Sequence, residues 1–288
     1  MAAKAMRIGI VAPSCPLGAE VPAQIEAIMK QHFGAHAPEL IFHPQCFRRH
    51  GHFAGPDDQR ADVFVDMAND PSIDAIWFAR GGYGACRIAE SAIKRLGEAA
   101  RGKAYLGYSD AGFLLAGLYA KGIGRVAHGP MPADVLRDGG EAAIVRALAW
   151  LISDTTHEIS RGELPRLNLS PPLYRAATRQ VAFNLTVLSQ LLGTTLEPDL
   201  TDYILMIEEV SEYMYRIDRS LFHLTSQPSI RAVAGIKLGR CSQIPANDVD
   251  FGMDEVAVVK RWCAVSGIPY LGRADIGHDA DNKVVPFG

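Results

Sequence analysis

Through the first 152 residues, short apolar runs alternate with helix-like stretches, most of them closed by a glycine. Arg7–Val11 is a β-branched run ending in Ala12-Pro13-Ser14. Apolar spacing then predicts a helix from residue 21, with Ile25, Ile28, Met29 and Phe33 on one face and Gly34 as its stop. The same strand-then-helix order repeats at 40–42 with 57–68, at 73–79 with 85–96, and at 103–107 with 111–121. A further run at 125–127 precedes a helix over 141–152. Such alternation buries its strands on both faces and predicts an α/β fold, a doubly wound parallel sheet with helices on either side. In that architecture the loops after the strands share one rim, and that rim is where ligands bind.

Three of those loops carry residues of chemical interest. After 73–79 comes Arg80-Gly81-Gly82-Tyr83-Gly84, a turn whose backbone amides are bare enough to hold an anion or oxyanion. It begins like a dinucleotide fingerprint, but Arg87 stands where the third small residue belongs, and no P-loop lysine follows. No cofactor is expected. After 103–107 comes Tyr108-Ser109-Asp110-Ala111-Gly112, an abrupt turn into a helix. A serine there is lifted clear of the sheet, with the next residue's amide aimed into the same space, although its second glycine is one position later than in G-x-S-x-G. A plain helix N-cap is the commoner use of such a serine. The third loop carries His128-Gly129-Pro130-Met131.

The remaining chain has a different texture. Asp154-Thr-Thr, Leu164-Pro165 and Ser170-Pro171-Pro172 mark a linker over 156–178 between a first domain at 1–155 and a second at 179–288. The second half reads as a helix over 183–192, a strand over 203–207 running into Glu208-Glu209, and a helix over 212–224. A strand over 230–238, a helix from 254 to Gly267, a short strand over 269–271 and a polar loop with His278 follow.

The formal net charge of −3 offers no long-range attraction to nucleic acid or an anionic membrane. No apolar run is long enough to span a bilayer, and the N-terminal residues lack a signal-peptide core. Cys15, Cys46, Cys86, Cys241 and Cys263 are odd in number and widely spaced, which favours reduced thiols and a cytoplasmic location. His43, Cys46, His50 and His52 share a loop, but Arg48 and Arg49 would repel a cation, so no metal is expected.

A serine nucleophile needs a base to take its proton and a carboxylate to fix that base. His128 and His278 are rival bases. Glu208 and Glu209 fall on opposite faces of a strand, so one of them at most is expected to face the site. Glu212 is a third acid, in reach of the next helix's start. Cys86, the alternative nucleophile of a glutaminase-type fold, has apolar neighbours and reads as core.

With these residues in view, the chain resembles the LD-carboxypeptidases, serine peptidases with a Ser–Glu–His triad. The likeness runs through Val11-Ala12-Pro13-Ser14, Phe53-Ala54-Gly55, Arg80-Gly81-Gly82-Tyr83-Gly84, Gly107-Tyr108-Ser109-Asp110 and His128-Gly129-Pro130-Met131. It continues through Asn184-Leu185, Ile207-Glu208-Glu209 with Glu212, Tyr215-Arg216-Ile217-Asp218-Arg219, and Gly277-His278 with Asn282 and Pro286. The resemblance implies a triad of Ser109, Glu208 and His278, and a flavodoxin-like N-terminal domain bearing the nucleophile. A smaller, mostly β C-terminal domain would bring the acid and base. It also implies a homodimer without a metal. The expected reaction releases D-alanine from a muropeptide tetrapeptide. Backbone amides of Asp110 and Gly82 would hold the oxyanion, and Arg80 the terminal carboxylate. Two alternatives stand beside it: a microcin-immunity type of peptidase acting on peptidyl or aminoacyl nucleotides, for which Tyr174 is the candidate stacking ring, and a non-catalytic peptide-binding homologue.

Overall fold

A computed structural model describes residues 5–153 and 179–288; the expected linker at 156–178 and Tyr174 lie outside the described residues. In the first half, β1 (Arg7–Val11), β2 (Glu39–Phe42), β3 (Ala75–Phe78), β4 (Ala104–Gly107) and β5 (Arg125–His128) form a parallel sheet in the order β5-β4-β3-β1-β2. That is the flavodoxin-like winding, and it sets the C-terminal ends of β1, β3, β4 and β5 side by side.

The helices of this half are α1 (Val21–His32), α2 (Asp57–Asn69), α3 (Ala89–Ile93), α4 (Glu98–Arg101), α5 (Gly112–Ala120) and α6 (Gly140–Ile152). Period-two alternation along each strand divides the core. Ala75 and Trp77 of β3 join Ile25 of α1 and Leu148 of α6 on one face, while Ile76 and Phe78 join Phe64 of α2 and Leu114 of α5 on the other. The segment predicted as one helix over 85–96 is instead a 3₁₀ turn, Ala85–Arg87, followed by the five-residue α3. Tertiary bonds explain the break: Arg60 Nη1 donates to the Gly84 carbonyl at 3.0 Å, and the Ala85 amide donates to Asp110 Oδ2 at 2.8 Å. These hold the first turn in the tighter i to i+3 pattern.

The second half carries a separate, smaller parallel sheet of β6 (Gln180–Asn184), β7 (Ile204–Val210), β8 (Gly235–Ser242) and β9 (Tyr270–Arg273), in that spatial order. Its helices are α7 (Leu185–Leu191), α8 (Met214–Ser226), α9 (Pro228–Arg231) and α10 (Glu255–Ser266). Here too the spacing misled: 180–184 is a buried strand, not the opening of the helix expected from 183. Asn184 ends the strand and caps α7, its Oδ1 accepting from the Val187 amide at 3.1 Å.

The two halves share one hydrophobic cluster, which runs from Leu114 and Phe113 of α5 to Phe183, Val187 and Leu188. A last strand, β10 (Val285–Pro286), pairs antiparallel with β5, Val285 opposite His128 and Pro286 opposite Ala127. The second half therefore supplies an edge strand to the first half's sheet. Among the described residues no helix is long and apolar enough to cross a membrane.

Candidate active site

β4 ends at Gly107, and two residues later the backbone of Ser109 takes φ 58°, the left-handed region that side chains avoid. Holding a non-glycine residue there costs on the order of 1–3 kcal/mol, which neighbouring packing must sustain. The chain then turns directly into a 3₁₀ turn and α5. A Cβ on Gly81 would stand 2.7 Å from Ser109 Oγ, so the glycine keeps the hydroxyl's surroundings open. Gly82 has φ 113°, and a Cβ there would meet Cys15 Sγ at 2.3 Å. Among the described residues, neither the amide of Gly82 nor that of Asp110 donates to a protein acceptor.

The Asp110 carboxylate joins three rim loops. It accepts from Ser14 Oγ in the loop after β1 and from the Ala85 amide in the loop after β3. Burial pushes this carboxyl above its ordinary pKa, opposed by those two hydrogen bonds. Asp110 thereby fixes the turn that presents Ser109.

The acid and base come from the second half. β7 does not stop before Glu208 but continues to Val210, so both Glu208 and Glu209 are buried strand residues. His278 Nδ1 donates to Glu208 Oε2 at 2.6 Å. Desolvation drives the Glu208 carboxyl above its ordinary pKa, and the adjacent His278 opposes that shift. Access to Glu208 depends on a bulge: Ile207 pairs with Leu238, but Glu209 pairs with Cys241, which inserts one extra residue into β8. Gly239 lies in that bulge, where a Cβ would come within 2.7 Å of the Ile276 carbonyl oxygen and 2.9 Å of Glu208 Cβ. The His278 loop is pinned by Arg240, whose Nη2 donates to Asp279 Oδ1 at 2.8 Å and whose Nη1 donates to Asp275 Oδ1 at 2.6 Å. The His278 ring packs on Tyr108, the residue before Ser109, with centroids 4.8 Å apart. Ser109 Oγ makes no hydrogen bond among the described residues; such bonds commonly tighten only when substrate is held.

His128, the rival base, is 1% exposed, and burial pushes its pKa down to about 3. Its Nε2 donates to Asn282 Oδ1 at 3.2 Å, and the same oxygen accepts from the Gly277 amide at 3.2 Å. His128 thus braces the His278 loop through Asn282. Glu209, on the opposite face of β7 from Glu208, has its own partners. Its carboxylate accepts from Asn184 Nδ2 at 2.7 Å and from the Thr186 amide at 2.9 Å. It also lines the cleft that holds Ser109, a space of about 580 Å³ bounded by Gly82, Asp110, Asn184 and Glu212 among others. Of the two neighbouring acids, Glu209 alone among the described residues lines that space, in keeping with alternation along β7. Cys86 packs against the core but is only partly buried and also lines that cleft. Arg80 is exposed at the rim, its Nη1 donating to the Pro16 carbonyl at 3.1 Å. Of the histidine-rich loop, His52 Nε2 lies 3.1 Å from Cys15 Sγ, and no group of three potential metal ligands occurs among the described residues.

Family models match both halves: the LD-carboxypeptidase N-terminal domain over residues 8–129 and the LD-carboxypeptidase C-terminal domain over residues 179–288. The chain belongs to the LD-carboxypeptidase family. Membership makes it a peptidase of the hydrolase class. It is 26% identical to the murein tetrapeptide carboxypeptidase of Pseudomonas aeruginosa, across 98% of this chain and 91% of that protein. Among solved structures, it resembles the muramoyltetrapeptide carboxypeptidase of Oxalobacter formigenes with a TM-score of 0.74 at 22% identity, covering 98% and 93% of the two chains. It likewise resembles the microcin C7 self-immunity protein MccF, with a TM-score of 0.77 at 19% identity over 99% and 92%. At those identities the two likenesses establish the fold.

Proposed function

We propose that this chain is a serine LD-carboxypeptidase that removes the terminal D-alanine from muropeptide tetrapeptides, cutting after the L-centre of a diaminopimelate or lysine residue. One observation carries the reading: the buried Glu208–His278 pair lies against Tyr108, next to a serine held in a left-handed turn. Ser109 Oγ attacks the scissile carbonyl while His278 Nε2 takes its proton. Glu208 accepts from Nδ1, fixes the tautomer and stabilises the imidazolium. The tetrahedral oxyanion rests on the free amides of Asp110 and Gly82. Collapse passes the proton from His278 to the departing D-alanine amine, leaving an acyl-Ser109 ester. Water then attacks the ester with His278 as base, and the serine is regenerated. Arg80, at the rim beyond Gly81, takes the substrate's terminal carboxylate. Recycling of wall peptides implies work in the cytoplasm, which the five free cysteines favour, and the family resemblance adds a homodimer.

The test compares purified protein and its Ser109→Ala variant on a synthetic tetrapeptide ending in D-alanine. Release of D-alanine by the first and not the second is expected, together with labelling of Ser109 by a fluorophosphonate. A preference for an aminoacyl sulfamoyl nucleoside over the peptide would replace this reading with the immunity-type one. Absence of both labelling and turnover would leave a binding protein.

A further inference from the structure

Tyr108 stands in extended backbone between Gly107, the last residue of β4, and Ser109. Its side chain is buried, and its hydroxyl donates to Asp134 Oδ1 at 2.8 Å. Burial pushes the phenol well above its ordinary pKa, and the Asp134 carboxylate adds to that, so the hydroxyl stays a donor. Asp134 is itself buried in the loop after β5. There its Oδ2 accepts from the Met131 amide at 2.8 Å and its Oδ1 from Arg137 Nε at 2.7 Å. The tyrosine ring meets two imidazoles, His278 at 4.8 Å and His128 at 5.4 Å between centroids. One side chain therefore belongs to the residue before the nucleophile, touches the proposed base and is tied at its far end to a further rim loop.

We infer that Tyr108 is a positioning residue for the reaction: its ring, locked by Asp134, sets the His278 imidazole against Ser109. The inference rests on the serine-peptidase reading above. Ser109 and His278 come from different halves, and proton transfer between them needs heavy atoms about 3 Å apart. The bond from Nδ1 to Glu208 fixes one ring nitrogen, and a single hydrogen bond leaves the imidazole free to tilt about it. Arg240 and Asn282 hold the residues on either side of His278 in sequence, not its ring. Tyr108 is the one aromatic ring among the described residues that packs on the imidazole. A phenol bonded at its hydroxyl changes rotamer only by breaking that bond, so the stop it gives is rigid. A displacement of roughly 1 Å at such a contact costs on the order of a hundredfold in rate. Asp134 bonds to neither Ser109 nor His278 and acts through the tyrosine.

The experiment measures D-alanine release and the rate of fluorophosphonate labelling in Tyr108→Leu, Tyr108→Phe, Asp134→Asn and the Tyr108→Phe/Asp134→Asn double variant, each below its melting midpoint. In Tyr108→Leu, kcat should fall by about ten- to a hundredfold, with labelling slowed by the same factor and KM within about twofold of wild type. Tyr108→Phe keeps the ring and should lose only about three- to fivefold, as should Asp134→Asn. The double variant should be no worse than either single change, because both break one bond. A Tyr108→Leu protein within threefold of wild-type kcat, a loss carried by KM, or additive losses in the double variant would overturn the inference. Should Tyr108→Leu fail to fold, unchanged kcat in both Tyr108→Phe and Asp134→Asn would overturn it. Independently of turnover, proton NMR reads the low-field Nδ1–H signal of the His278–Glu208 bond. That signal should persist in Tyr108→Phe and broaden by exchange in Tyr108→Leu; a signal unchanged in Tyr108→Leu would also overturn the inference. Wild-type protein that hydrolyses no peptide removes the peptidase reading, and the NMR comparison then decides by itself whether Tyr108 holds the imidazole.

Discussion

Glu208 and His278 stand 70 positions apart in sequence and 2.6 Å apart in space, a carboxylate from the buried end of β7 holding Nδ1 of an imidazole on a distant loop. The contact needs the extra residue in β8 and the bare Cα of Gly239, which let that loop descend onto the strand. In the proposed mechanism the other ring nitrogen takes the serine proton.

Glu208→Gln keeps the shape of the side chain but removes the charge that stabilises the imidazolium. We expect kcat to fall by roughly two to four orders of magnitude with little change in KM, read from steady-state D-alanine release. A variant within threefold of wild type would remove Glu208 from the triad.

Ser109 is held at φ 58°, so its replacements separate catalysis from strain. Both Ser109→Ala and Ser109→Gly should be inactive. Glycine accepts the left-handed backbone without the Cβ penalty, so Ser109→Gly should be more stable than Ser109→Ala by about 1 kcal/mol in denaturant melts.

At Gly239 an added methyl has no room, because the Ile276 carbonyl oxygen and Glu208 Cβ would both lie inside contact distance. Gly239→Ala should cost about 1–3 kcal/mol of stability and shift the His278 loop. The expected signature is a larger loss in kcat than in substrate affinity, checked by kinetics alongside thermal melts.

The pH dependence of stability should carry the mark of His128. Its folded pKa is about 3, whereas the unfolded chain titrates near the ordinary 6.5. Between those values the unfolded state binds the extra proton. Stability therefore falls as pH drops through that window, by about 1.4 kcal/mol for each unit that His128 alone contributes. Urea melts at pH 7, 6, 5 and 4 should show this slope, and His128→Gln should flatten it while other carboxylates keep the remainder.

Local pattern was enough to read the first sheet. Apolar runs such as Ala75–Phe78, buried on both faces, carry their own strand signal, and Ser109 stood out because a strand ran straight into a helix with one residue between Gly107 and it. The pattern failed where partners far along the chain intervened. Phe183 and Asn184 read as the start of α7, yet they end a strand, 180–184, that pairs with β7 along its whole length. Residues 85–96 look like one helix, yet Arg60 and Asp110 take the polar groups at its start. Val285–Pro286 is too short to announce itself and exists as a strand because β5 offers an open edge.

The chain's order of residues determined that a parallel sheet would form and that the loops after its strands would gather the glycine turn and Ser109 on one rim, since hydrophobic period and turn chemistry act over a few residues. Which acid would meet His278, that the other, Glu209, would line the cleft, and that His128 would be too deeply buried to serve as the base were decided only by tertiary packing. Those outcomes depend on the bulge in β8, on desolvation and on contacts between the halves, and desolvation and long-range pairing leave no mark in a stretch of neighbouring residues.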